Sequence, residues 1–455
     1  MFPQFKKIKP YAAFLLKYFP FNVSVFGDKI RFEEGDCNGV QTKNGWMMFL
    51  LLLLALAGCG QPSAEHPASQ MSSSKTSPSA QSADGIHKEF IEAEGLFGIS
   101  VFHHLIEQQG TEKNVFISPY SIQQALVMTA NGADGKTKEE MKNTLLLSEM
   151  KDREINEAAN TLMNSFRTLF DGELLAAHSV WTGLDINPQF KQTIEQHFDG
   201  KACKLGPHPE KAKRKINEWA AKKTKGHIED IADNLSPNTI AVLLNTIYFQ
   251  GDLAQPFDKA MTYVEPFYLQ NGTEKKHPMM KQTALLPYQE NELFQAVKLS
   301  YKNKDLSFAV FLPQKDKDLS SLTASLTHEN LEKWENRWEE KTVKLSLPRF
   351  SFEEKYNLRG ILTQLGMKTA FGKADFSNLF QDKSTGAKID DVNHHTFIKT
   401  DETGTEAAAA TSVEIIESAS GPELSLTVNR PFLFVIADEK TKSILFLGTV
   451  AEPAE

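Results

Sequence analysis

Cysteine is scarce in this chain, with three residues, Cys37, Cys59 and Cys203, among 455. So few cannot build a disulfide scaffold. With no CxxC pair, neither a thiol redox motif nor a cysteine zinc site is expected. A basic face is missing too. Fifty Lys and Arg against 58 Asp and Glu give a net charge of -8, the wrong sign for a nucleic-acid binder that must displace counterions. No GxSxG elbow, HExxH or GxGxxG occurs. Gly135-Lys136-Thr137 lacks the first glycine of a phosphate loop, whose place Ala130 holds. Ser72-Ser73-Ser74-Lys75 matches SxxK only inside a low-complexity stretch, where such a match arises by chance. Neighbouring histidines on a strand point to opposite faces, so His103-His104 and His394-His395 are poor metal pairs. With no placed nucleophile, base, metal or cofactor, the chain reads as a non-enzyme.

A processing signal is present near the amino end. Trp46 to Ala57 (WMMFLLLLLALA) is an apolar run of 12, short of the about 20 residues a spanning helix needs but suited to a secretory signal. Leu56-Ala57-Gly58-Cys59 then resembles the lipobox of bacterial lipoproteins, in which the cysteine is lipidated and the peptide is cut before it. Small Ala57 and Gly58 fit a peptidase cleft, and only sulfur at Cys59 can form the thioether. Residues 46–58 are thus expected to be the signal peptide. The 45 residues before it do not suit a short basic leader. Residues 1–45 are expected to be an over-extended amino terminus, with translation starting near Val40 or Met47 and Met1 to Gly39 an over-extended reading frame.

Residues 59–83 follow as a lipidated cysteine and tether. Between Gln61 and Ala83 lie 8 Ser, 4 Ala and 3 Pro, too little apolar surface to fold. Such a tether reaches on the order of 25 Å. Cleavage before Cys59 removes 7 basic and 4 acidic residues and leaves a net charge of -11. The expectation is export and lipid anchoring in the cell envelope or at the cell surface. Gly60 after the cysteine resembles outer-membrane sorting where two membranes exist.

From residue 84 the composition changes. The chain's 31 Phe, 9 Tyr and 5 Trp supply ample core material, and no repeat or Gly/Pro linker breaks the rest. Ser118-Pro119 to Ala130 predicts a helix with Ile122, Ala125, Leu126 and Thr129 on one stripe and Pro119 in its first turn. Ile240 to Phe249 (IAVLLNTIYF) predicts a central strand buried on both faces. Ser307 to Leu312 and Thr342 to Leu347 alternate as strands, and Leu424 to Ala437 with Ser443 to Val450 reads as a hairpin. Helices crowd the first half and strands the second, so residues 84–455 are expected to form one α+β domain.

One segment is odd. Glu402 to Pro422 (ETGTEAAAATSVEIIESASGP) places Thr405, Ala407, Ala409, Thr411, Val413 and Ile415 on one face at period two, with Glu406, Ala408, Ala410, Ser412 and Glu414 on the other. It is soluble when extended, yet patterned like a strand that one sheet face could bury. Glu402-Thr403-Gly404-Thr405-Glu406-Ala407 with the alanines after it resembles the hinge and reactive-centre loop of inhibitory serpins. The resemblance continues through Asn114 to Pro119, Ile216 to Trp219, Thr224 to Ile228, Leu244 to Phe249 with Gly251, Asn429 to Phe434 and Phe446 to Gly448, in family order over about 370 residues.

The resemblance implies a single serpin-type domain with a large central β-sheet, further sheets, about nine helices and an exposed loop. It implies a monomeric inhibitor whose partner is a serine protease, or a cysteine protease, trapped as an acyl-enzyme when the cut loop enters the main sheet. Glu402, Gly404, Thr405, Glu406 and Ala407 to Ala410 become the hinge, and Ser118, Ser121, Asn245 and His394 a structural shutter. No cofactor or metal is implied. The usual register puts the cleaved bond at Ser418-Ala419, with Glu417-Ser418 and Ile416-Glu417 as alternatives. Ser418 suits elastase-like pockets, and the absence of Lys and Arg from Thr403 to Thr427 argues against trypsin-like ones. Leu253 departs from the family's usual tryptophan in the breach at the top of the sheet. A non-inhibitory serpin-fold carrier or surface protein is the alternative.

Overall fold

The computed structural model describes residues 23–26, 29–32 and 86–454, except 171–173, 207, 233–234, 236–238, 250, 303–304, 384–385 and 403–423. The chain divides into two units, Met1–Ser79 and Ala80–Glu455. In the first, β1 (Val23–Phe26) and β2 (Lys29–Phe32) pair antiparallel.

The second unit opens with α1 (Ile86–Gln109), β3 (Val115–Ile117), α2 (Pro119–Ala130), α3 (Gly135–Thr144), α4 (Asp152–Phe170), β4 (Leu174–Thr182), α5 (Pro188–Phe198), β5 (Lys201–Lys204) and α6 (Pro209–Lys223). There follow β6 (Ala241–Phe249), β7 (Tyr263–Tyr268), β8 (Glu274–Glu290), β9 (Phe294–Ser300) and β10 (Leu306–Pro313). Then come α7 (Leu319–Ser325), α8 (His328–Glu335), β11 (Glu339–Pro348), β12 (Phe350–Asn357), α9 (Arg359–Gln364) and β13 (Asp391–Thr400). The chain closes with β14 (Leu424–Thr427), β15 (Phe432–Asp438) and β16 (Ile444–Val450). The expected α+β class and single large body hold, with nine α-helices among the described residues.

Local chemistry sets several boundaries. Ser118 caps α2 from an extended conformation (φ -114°, ψ 101°), accepting from the Ser121 N–H, while Pro119 occupies the first turn where no N–H is needed. The expected single stripe on this helix is too narrow: every residue from Pro119 to Ala130 is buried. Between Gly110 and the cap, β3 lays Phe116 against Phe446 with ring centroids 5.1 Å apart. α6 starts at Pro209, with Glu210 in its first turn and Lys222 and Lys223 in its last, each matched to the helix dipole.

Two sheets carry the second unit. The larger runs β14-β11-β8-β9-β10-β15-β16-β3, with β7 added on β8. The five-stranded one runs β12-β13-β6-β4-β5, and β6, buried at all nine residues, lies at its centre as the apolar run requires. Here β13 and β6 are parallel neighbours, while β12-β13 and β4-β6 are antiparallel. One expectation is corrected. Leu424 to Ala437 is two strands, β14 lying parallel to β11 and β15 pairing with β10 and β16. Pro431, which has no N–H for a ladder, falls in the break. The β15–β16 hairpin is as read. His103 and His104 lie on α1 rather than on a strand.

Candidate functional site

The candidate site is the seam between β13 and β6 and the chain that leaves it. Seven register pairs close the seam, from Asp391 opposite Val242 to Phe397 opposite Tyr248. Beyond Thr400 the chain passes Asp401 and Glu402 and returns at β14, which lies beside β11 in the other sheet. Of the hinge residues only Glu402 is described. Gly404, Thr405, Glu406, Ala407 to Ala410 and the bond candidates Ile416, Glu417, Ser418 and Ala419 fall outside the described residues, as does Cys59.

Glu402 is clamped. It is 2% exposed, and its Oε1 accepts from Arg349 Nη2 at 2.5 Å and Thr262 Oγ1 at 2.7 Å. Its carbonyl accepts from the Phe257 N–H at 2.7 Å. Burial acts to raise the carboxyl pKa, but the Arg349 and Thr262 bonds outweigh it and hold the group below the ordinary glutamate value. Arg349 sits at the bend between β11 and β12, and Thr262 just before β7. The clamp therefore ties the hinge to both sheets. Sequence reasoning missed Arg349 and Thr262, which lie 53 and 140 positions from Glu402.

The four residues expected to form the shutter meet under the middle of the seam. The Ser118 N–H donates to His394 Nε2 at 3.0 Å, on β13. Ser121 Oγ donates to Asn245 Oδ1 at 2.5 Å, and Asn245 Nδ2 donates back to the Ser121 carbonyl, on β6. The first turn of α2 is thus bolted to both strands, one on each side of the seam. Along the sheet, Tyr356, His394, Asn245 and His178 stand opposite one another on β12, β13, β6 and β4. Because Nε2 of His394 accepts, its proton sits on Nδ1, which is buried without a partner. Burial, and then the neighbouring His395 and His178, push the His394 pKa down to about 3. Burial likewise brings His178 to about 4. Both rings are neutral at neutral pH. His395 points the other way, to Glu353, so the adjacent histidines do separate to opposite faces. Among the described residues no group of three His, Cys, Asp or Glu side chains could hold a metal ion.

At the top of the sheet Leu253 is 2% exposed and forms an isolated bridge to Tyr301. Tyr301 packs edge-on against Phe249, with centroids 5.1 Å apart. Gly251 is required there, since a Cβ would come within 2.4 Å of Phe249 and 2.8 Å of Tyr301. Leu253 belongs to the same buried core as that ring pair.

The family model described as Serpin (serine protease inhibitor) matches residues 92–453. An uncharacterized serpin-like protein of Thermococcus kodakarensis is 33% identical over 427 residues, covering 90% of this chain and 99% of its own. Human Serpin B8 is 34% identical over 392 residues, covering 80% and 100% respectively. Among solved structures, human thyroxine-binding globulin superposes with a TM-score of 0.75 at 28% identity, over 81% of this chain and all of its own. The thermophilic serpin tengpin in its native state gives 0.73 at 29% identity, over 80% and 94%. With a family model matched over residues 92–453 and relatives above 30% identity covering nearly all of the second unit, the chain belongs to the serpin family.

Proposed function

We propose that this serpin inhibits a serine protease by offering residues 403–423 as bait and taking the cut strand into the β6–β13 seam. The observation that carries the reading is topological. β6 and β13 run parallel, and the loop departs from the end of β13. A strand folding back there would be antiparallel to both neighbours, so each of its edges would meet a favourable ladder. The sequence supplies such a strand in Thr405 to Ile415, small or apolar on one face. Roughly a dozen ladder bonds at about 1 kcal/mol net, with burial of Val413 and Ile415 at about 1.5–3 kcal/mol each, would drive the movement.

The proposed cut is at Ser418-Ala419, which directs the bait to elastase-like pockets, with Glu417-Ser418 and Ile416-Glu417 as neighbouring choices. The hinge and shutter roles of the residues named above belong to the same proposal. So does anchoring of the exported monomer through lipidated Cys59. Mass spectrometry after incubation with an elastase tests the reading. A covalent complex and an amino terminus at Ala419 are expected. Cleavage with no complex and no gain in thermal stability would leave a carrier or surface-binding serpin instead. Leu253 at the breach is the feature that favours that second reading.

A further inference from the structure

The bolts from α2 hold the seam on one face of the sheet only. Tyr248 and Phe397 lie three residues beyond Asn245 and His394 on their strands, so they face the other way. Over them lies the segment that follows α6. Thr224 Oγ1 donates to the Ala220 carbonyl at 2.8 Å and accepts from the Ile228 N–H at 3.0 Å. Lys225 and Gly226 turn the chain with φ of 52° and 85°, and the His227 N–H donates to the Thr224 carbonyl at 3.0 Å. Further on, Asn217 Oδ1 accepts from the N–H groups of Ile231 and Ala232, and Lys355 Nζ on β12 donates to the Asp230 carbonyl at 3.1 Å. Trp219 on α6 meets Trp181 on β4, with centroids 6.3 Å apart. The helix and its following segment therefore run from β4 to β12, across the seam.

Where they cross, His227 is pressed flat on Tyr248, with centroids 3.9 Å apart and planes 7° apart. It also lies 5.8 Å from Phe397, and Tyr248 and Phe397 are 5.6 Å from each other. Tyr248 belongs to β6 and Phe397 to β13, and they are the last register pair of the seam, at the end nearest the hinge. One ring thus touches both strands at the place an entering strand would first have to part. Separating neighbouring strands by one strand width, about 4.8 Å, leaves His227 able to keep one ring and not both.

We propose that His227 is a latch on the seam, a positioning residue whose ring contact with Tyr248 and Phe397 sets how often β6 and β13 separate at their hinge end. Its consequence for protease trapping rests on the inhibitor reading above. Its effect on the seam does not. The experiment is native-state amide exchange on the intact protein, resolved to the amides of β6 that donate to β13 and those that donate to β4. In His227→Ala the amides facing β13 exchange about two- to tenfold faster, as loss of an aromatic contact predicts, and those facing β4 are unchanged. His227→Phe, which keeps a ring, restores the wild-type rate. Phe397→Ala removes the opposite end of the stack and gives the same acceleration should His227→Ala fold poorly.

Unchanged seam exchange in both alanine variants, or equal acceleration of both ladders, overturns the latch. Trapping of elastase by the wild type is scored separately. Accelerated seam exchange with no trapping removes the inhibitor reading and keeps the latch, while trapping with unmoved seam exchange does the reverse.

Discussion

The hinge clamp can be put to a number. Glu402→Gln keeps the shape of the side chain and an acceptor for Thr262 while removing the charge that meets Arg349 Nη2 at 2.5 Å. A hydrogen bond to a charged group contributes about 1.5–3 kcal/mol, and because the Arg349 side chain keeps 36% of its surface in water the lower part of that range, about 1.5–2 kcal/mol, applies. Glu402→Lys goes further. It places a second cation beside Arg349 at a position 2% exposed, for a loss of about 3–5 kcal/mol. A body of about 370 residues has an unfolding entropy near 0.8 kcal/mol/K, so the midpoint should fall by about 2 °C for glutamine and about 4–6 °C for lysine. Scanning calorimetry of the intact protein measures this. On the inhibitor reading proposed above, the same contacts restrain the hinge, so conversion of the uncut protein to a heat-resistant form, held just below its midpoint, should quicken about 10- to 30-fold in Glu402→Gln. Arg349→Ala completes a double-mutant cycle. If Glu402→Gln and Arg349→Ala leave the midpoint where it was, or add without coupling, the two side chains share no energy and the reasoning fails.

On the proposed inhibitor reading, Thr405→Arg should turn the protein into a substrate, because a long cation at the start of the entering strand would meet a close-packed gap. The assay is a detergent gel after boiling with an elastase, and a surviving complex would refute the hinge argument. Stability should peak near pH 6.5. Below it, neutral His394 and His178, with native pKa values of about 3 and about 4 against 6.5 unfolded, lose stability as the unfolded chain takes up protons. Above it Glu94, buried against Ser443 and raised to about 8, keeps its proton in the native state while the unfolded carboxyl is already ionised, so its contribution is lost as pH rises toward 8. Lowered histidines outnumber the raised glutamate, so stability should fall on acidification from pH 6.5 to 4.5, and Glu94→Gln should steepen that fall in urea titrations. Leu253→Trp should overpack the Phe249–Tyr301 pair and lower the melting midpoint by about 1–4 °C, and an unchanged or higher midpoint would show room that the packing does not contain.

What could be read in advance was local. Ile240 to Phe249 announced a doubly buried strand because nothing polar but Asn245 and Thr246 interrupts it. Ser118-Pro119 announced a helix start because a hydroxyl cap and a missing N–H belong there. The shutter residues were named from a resemblance and lie within hydrogen-bonding reach of one another or across one register pair. Long-range pairing was not legible. Nothing around Arg349 points to Glu402, and nothing in Thr224 to Ile228 says that its histidine lies across two strands. Leu424 to Ala437 read as one strand because apolar and β-branched residues run through it, although Pro431 was visible and marked the break.

The placing of the polar groups bears on why a seam should exist at all. A sheet interior normally knits neighbouring strands through their own side chains, yet at the middle of β6 and β13 the amide of Asn245 and the imidazole of His394 turn to α2 instead of to each other. Each strand is bolted to a third element, and the direct ties between them are the Tyr248–Phe397 ring contact at one end and a parallel ladder of seven register pairs, the weaker of the two ladder types per residue. An entering strand would break that one ladder and form two antiparallel ones of comparable length, so the exchange favours entry once the strands part. What opposes entry is the cost of parting. Moving the strands by a strand width puts Ser118 or Ser121 out of hydrogen-bond reach on one face and His227 out of ring contact on the other. Both sets of contacts are made by short-range groups that fail within the first few ångströms. They therefore raise the barrier to opening, and because the strands stay parted once a strand has entered, their loss also counts against the gain that the two new ladders must exceed.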